Sequence, residues 1–233
     1  MYVLASIFRD FHDYFMDLGS FWWMAWNAIL AFVPVVLALI FFKREDQPRT
    51  GIRNVTFGLE LVLVLLFLPN APYVATDLVH FLETVRKNDA SLWKLLGTEF
   101  PLYAMLMAFG LACYSFTVDR VLYAVRMRIG RAWAWFALFV IPLLSAVGVY
   151  LGRVARYNSW NILSDPRGIL DSSSAILEEI RVAKVIVSIW LCLIVVHQIY
   201  RVFHDGIRYR LERRQAKISL RSSELGSPGI HPN

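Results

Sequence analysis

Residues 67–80 read Phe67-Leu68-Pro69-Asn70-Ala71-Pro72-Tyr73-Val74-Ala75-Thr76-Asp77-Leu78-Val79-His80. The apolar run that leads into them, residues 55–68, has the composition of a helix heading out of a bilayer. It then meets two prolines with an asparagine between them. Proline carries no backbone donor and bars the residue before it from helical geometry. The helix should therefore break near the depth at which it leaves the hydrocarbon. Past the break, Tyr73, Thr76, Asp77 and His80 recur at helical spacing and would share one face of a second short helix. Broken helices at a membrane boundary, with polar side chains just beyond, are recurrent places for ligand binding.

Composition supports the membrane setting. Of the 233 residues, 58% are hydrophobic and 18% charged, and the mean hydropathy is +0.50, whereas a soluble domain carries about 25% charge. A net charge of +6 would suggest nucleic acid in a soluble chain. Here the basic residues sit between apolar segments and in the tail, so they read as topology signals and no nucleic-acid partner is expected. Cys113 and Cys192 fall inside apolar runs without a CxxC pattern, so no metal framework is expected. The first apolar run is too long for a cleavable signal peptide.

The expected fold class is all-α: a polytopic transmembrane bundle of about five spans, an N-terminal interfacial helix, and a short broken helix after span two. Residues 1–20 form the amphipathic segment, with Leu4, Phe8, Phe11, Phe15 and Leu18 at helical spacing and Gly19-Ser20 ending it. Residues 21–205 form the bundle. Its spans are expected over residues 21–42, 55–68, 101–125, 132–151 and 182–203. Trp22, Trp23 and Trp26 mark headgroup level in the first, and Pro34 should kink it. Residues 206–233 form a basic cytoplasmic tail whose Ser-Pro-Gly-rich end should be disordered. The spacing of Gly148 and Gly152 allows a close helix approach at the end of span four.

With five spans the loops alternate sides. One side carries four basic residues between Lys43 and Arg53, four between Arg120 and Arg131 and seven between Arg201 and Arg221, fifteen in all, against nine on the other. The positive-inside rule then places the N-terminus outside and the C-terminus in the cytoplasm. The break after span two and the end of span four converge on the outward face.

Those two stretches, FLPNAPYVATDLVH at residues 67–80 and GVYLGRVARYNSW at residues 148–160, resemble the signatures of the bacterial integral membrane proteins called domain of unknown function 1361. Trp26-Asn27 with its following apolar run fits as well, and the resemblance covers roughly residues 21–205. It implies location in a bacterial inner membrane, and it implies no particular reaction or cofactor. Members of that family read NSWD where this chain has Asn158-Ser159-Trp160-Asn161, so chemistry that needed that acid would be lost here.

Two polar groups stand out as candidate sites. The outward one comprises Asn70, Tyr73, Thr76, Asp77, His80, Tyr150, Arg153, Arg156, Asn158 and Trp160. Paired arginines suit phosphate or carboxylate, while an Asp and a His three apart could orient a general base or hold a metal. The plainer reading is that Arg153 and Arg156 pair with Asp77 and Glu83 and staple two helix ends. No third metal ligand and no nucleophile stand at motif spacing, so no metal is expected. The second group is an intramembrane layer of Glu60, Asp119, Arg120 and His197. A Glu60–Arg120 ion pair is expected there, because ionised groups in hydrocarbon face the bundle interior in pairs. The lone His197 reads as a packed histidine. The favoured function is an integral membrane protein that binds an anionic lipid headgroup or small anion. The alternatives are a membrane enzyme acting on a lipid-linked substrate and a proton-coupled transporter.

Overall fold

The computed structural model describes residues 18–42, 51–77, 100–153 and 180–225, with residues 85 and 97 between them. In chain order the described elements are α1 (Leu18–Phe41), α2 (Gly51–Phe67), the one-turn α3 (Asn70–Tyr73) continued by a 3-10 turn (Val74–Asp77), α4 (Phe100–Arg128), α5 (Arg131–Arg153) and α6 (Ile180–Leu225). No strand occurs among them. Five stretches are long and apolar enough to cross a membrane: Trp22–Phe41, Val55–Thr76, Phe100–Arg128, Arg131–Gly152 and Ile180–Lys217.

Helix α4 is the pillar of the bundle. It touches α1, α5, α6 and the α3 turn. Its buried positions Gly110, Cys113, Tyr114, Thr117, Val118, Val121, Ala124 and Val125 recur every three or four residues, the stripe of a helix with one inward face. Helix α1 answers with Ala31, Val35, Ala38 and Phe42, while Trp22, Trp26, Ile29, Phe32, Val36 and Ile40 face outward. Large apolar side chains on the outside are what a lipid-facing surface requires. Since lipid tails are as apolar as leucine, the helices are held by close packing and interhelical hydrogen bonds and not by escape from water.

Two hydroxyls inside the bundle are satisfied by their own helices, whereas those of Tyr114 and Ser115 are buried without a hydrogen-bond partner among the described residues. Thr117 donates to the Cys113 carbonyl at 2.8 Å and Ser145 to the Ile141 carbonyl at 2.9 Å. Pro142 lies inside α5 and withdraws one backbone donor there. One turn before it, the Trp190 indole of α6 donates to the Phe139 carbonyl at 2.9 Å, a direct polar link between the two helices.

The connection from α4 to α5 is only Ile129-Gly130. Gly130 adopts φ +132°, a conformation that side chains disfavour, and the turn is closed by bonds from the Ile129 and Gly130 amides to the Val125 carbonyl at 2.8 and 3.1 Å. This tight hairpin gathers Arg126, Arg128 and Arg131 at one end of the bundle, called here the basic end.

Helix boundaries differ from expectation at both ends of the chain. Gly19 and Ser20, expected to end the interfacial helix, are themselves helical. They lie in the first turn of α1. The rest of the expected interfacial helix lies outside the described residues, as does the tail beyond Leu225. Helix α6 does not stop at Phe203 but continues through the basic segment. Residues 204–225 hold five Arg and three Leu, which favour helix. Arg208 pairs with Glu212 one turn later at 2.9 Å, and the Arg213 guanidinium lies 5.1 Å from the Tyr209 ring.

Candidate functional site

The break after α2 is a packed wedge. Pro69 ends α2 and at once starts the α3 turn, where its missing donor costs nothing because the first amides of a helix have no partner inside it. Leu68, Ala71, Pro72 and Val74 are all buried. The wedge fits because two glycines make room. A Cβ on Gly148 would stand 2.5 Å from the Pro69 ring, and a Cβ on Gly110 would stand 2.5 Å from the Ala71 carbonyl oxygen. The two stretches that carry the family resemblance thus meet through Pro69 and Gly148. At 1.5 Å per residue, Gly110 and Gly148 lie about 27 and about 26 Å from the α4–α5 turn. That matches the far boundary of a hydrocarbon core about 30 Å thick.

The short helix expected over residues 73–80 therefore begins earlier, at Asn70, and tightens into a 3-10 turn through Asp77. Within it the Thr76 hydroxyl donates to the Tyr73 carbonyl at 2.6 Å. Asn70, Tyr73 and Thr76 are partly buried, as is Tyr150 on α5. Asp77 and Arg153 are the last described residues of their segments. Their side chains, and all of His80, Arg156, Asn158 and Trp160, lie outside the described residues.

The intramembrane layer is arranged differently from expectation. Glu60 and Arg120 do not pair. Arg128 lies over the Phe57 ring at 4.6 Å, which registers α2 against the end of α4. From that level Glu60 is about 4.5 Å along α2, but Arg120 is about 12 Å along α4, so depths counted from each helix end were not comparable. The Arg120 guanidinium instead lies 5.4 Å from the ring of Phe116 on its own helix. Glu60 is partly buried and its Oε2 accepts no hydrogen bond among the described residues. Asp119 faces Arg201 of α6 at 3.9 Å, beyond hydrogen-bond reach. His197 is fully buried and stacks on Tyr200, which stacks in turn on His204, at centroid separations of 6.5 and 5.8 Å. From Glu60 to the break, residues 61–68 of α2 are all Leu, Val or Phe. No polar route runs along that helix, which weighs against a transport path from Glu60 to the wedge.

At the basic end, α4, α5 and α6 line a half-open cavity of 340 Å³. Its charged lining is Asp119, Arg126, Arg131 and Arg201; Leu122, Ala134 and Leu138 supply an apolar floor. Sequence reading counted the two turn arginines only as topology signals. Their grouping beside Trp133 and Trp135 was the available clue, but Arg201 lies some seventy positions away and only packing joins it to them. Among the described residues no group of three or more His, Cys, Asp or Glu side chains could hold a metal ion, and both cysteines are free.

An all-α bundle with five apolar helices of membrane-crossing length defines the class, a multi-pass membrane protein. Within that class the chain belongs to the family described as Protein of unknown function (DUF1361), whose model matches residues 26–196. No curated protein and no solved structure matches it.

Proposed function

We propose that this protein is a multi-pass binding protein of the bacterial inner membrane, with its N-terminus outside and its C-terminus in the cytoplasm. Its outward rim, built from the wedge and the end of α5, takes an anionic lipid headgroup or small anion. The observation that carries the reading is the contact of Pro69 with Gly148. It delivers the chain leaving at Asp77 and the chain leaving at Arg153 to the same end of the bundle, near the depth of lipid headgroups. Arginines carried to that depth meet phosphate groups, and their planar fork fits phosphate or carboxylate. The basic bias of the opposite side supports the orientation.

Native mass spectrometry of the purified protein tests the binding role. A co-purifying anionic adduct at the outward rim is expected, and Arg153→Gln with Arg156→Gln should lower the number of bound anions by at least one. An adduct unchanged by that pair of substitutions would refute the site. Orientation is tested by an impermeant thiol reagent on intact cells. Asp13→Cys should label and Ser222→Cys should not, and the reverse pattern would overturn the topology.

A further inference from the structure

We propose that the cavity between α4, α5 and α6 at the basic end is a second binding site, for a phosphate-bearing headgroup, with an anionic phospholipid as the source its surroundings favour. It lies at the opposite end from the outward rim and does not rest on that reading.

Charge comes first. Three arginines, Arg126, Arg131 and Arg201, line the cavity with one acid, Asp119, leaving two positive charges in surplus. Arg126 and Arg131 make no hydrogen bond or ion pair with any described residue, and the 3.9 Å separation of Arg201 from Asp119 leaves its donors available. The α4 C-terminus and the α5 N-terminus meet at the same turn with opposed dipoles, so the side chains and not the helix ends set the sign. Convergence of the arginines is also selective. Arg128, in the same turn, points away onto Phe57.

Depth and shape come next. Trp133, Trp135 and Phe136 are 57–60% exposed beside the turn, marking the level where indole rings meet headgroups. The cavity, at 340 Å³, falls at the lower end of small-ligand pockets, which start at roughly 300 Å³. Its apolar floor of Leu122 and Leu138 suits glycerol and the first acyl methylenes, while the guanidinium forks suit the phosphate. A free phosphate would use the forks and leave the floor uncovered, which is why the lipid is favoured.

The test titrates the full-length protein in zwitterionic detergent with phosphatidylglycerol, phosphatidylcholine or inorganic phosphate, read by native mass spectrometry. Phosphatidylglycerol should bind about tenfold or more tightly than phosphatidylcholine, as expected for charge-assisted contacts. Arg126→Gln with Arg131→Gln should remove one phosphatidylglycerol from the bound stoichiometry and so lower that preference. Arg126→Lys with Arg131→Lys, which keeps the charge that sets topology, should weaken it through loss of the fork. Ala134→Phe fills the cavity without changing charge and should lower binding of phosphatidylglycerol. Arg128→Gln should leave the preference intact, and Arg153→Gln with Arg156→Gln should leave in place the phosphatidylglycerol that Arg126 and Arg131 hold, which separates this site from the outward rim. Circular dichroism establishes that each variant is folded. Were the Gln pair unfolded, the Ala134→Phe titration would decide. Binding of inorganic phosphate that phosphatidylglycerol cannot displace would support the site and overturn the lipid source. No preference in the unaltered protein, or a preference untouched by both the Gln pair and Ala134→Phe, would overturn the site.

Discussion

The two ends of the bundle are built to opposite requirements. At the break end the chain is folded back into a space that only glycine leaves open: Pro69 fills the space beside Gly148, and Ala71 and Val74 that beside Gly110. At the basic end the helices splay around a cavity, and the hairpin that closes it is governed by backbone conformation instead of contact. Glycines show the difference. Nothing lies within 4 Å of a Cβ built on Gly130, yet its φ is +132°; Gly110 has an ordinary helical backbone and no room at all. One end is sterically determined and the other conformationally determined, and among the described residues a cleft opens beside the second.

The largest effect should therefore come from Gly110→Ala. The added methyl meets the Ala71 carbonyl, which cannot swing aside as a flexible side chain could. A loss of about 3 kcal/mol is expected, the upper part of the range for overpacking. Gly148→Ala, against the rigid Pro69 ring, should follow at about 2–3 kcal/mol. Gly58→Ala is the internal control, since nothing lies within 4 Å of its Cβ, and it should not destabilise. Unfolding by SDS titration in mixed micelles reads all three. Equal costs at Gly58 and Gly110 would break the steric account of the wedge.

At the basic end, Gly130→Ala should cost about 1–3 kcal/mol through backbone strain alone. A second expectation sharpens this one: Gly130→Asn should cost about as much as Gly130→Ala, because φ +132° lies outside the left-handed helical range that asparagine tolerates. At Gly110 asparagine should cost more than alanine, because any added atom clashes. Thermal unfolding in detergent separates the two patterns.

Between the ends, Trp190→Phe removes the indole donor to the Phe139 carbonyl and tests whether α6 is held by polar contact. Interhelical hydrogen bonds in membranes contribute about 0.6–2 kcal/mol, so a loss of about 1 kcal/mol is expected in the same SDS titration. A neutral result would leave α6 held on α5 by packing alone.

Much of this was legible in the residues. Span positions followed from apolar runs whose length matches a bilayer, and the break followed from Pro69 and Pro72, because proline acts locally and in every context. The close approach at Gly148 was visible in its spacing to Gly152. Gly110 carried no such signal; its partner is a backbone carbonyl forty positions earlier, which no pattern announces. The Glu60–Arg120 pair failed because depth was counted from helix ends, whereas helix register is set by contacts such as Arg128 on Phe57. The basic cavity was hidden for a related reason, since its third arginine comes from a helix that only packing brings alongside.

The smallest expected effect returns to the wedge. Thr76 donates to the Tyr73 carbonyl at 2.6 Å where the α3 turn tightens into the 3-10 turn. Thr76→Val keeps the β-branched shape and removes only the donor, so backbone preference is nearly unchanged. A hydrogen bond of this kind contributes about 0.5–1.5 kcal/mol net. The site is only partly buried, so the lower half of that range is expected. The steric account requires this cost to fall well below that of Gly110→Ala, because the turn is held by what surrounds it. If Thr76→Val destabilised the protein as much as Gly110→Ala does, local hydrogen bonding would be fixing the wedge. The contrast between a packed end and an open end would then lose its physical basis.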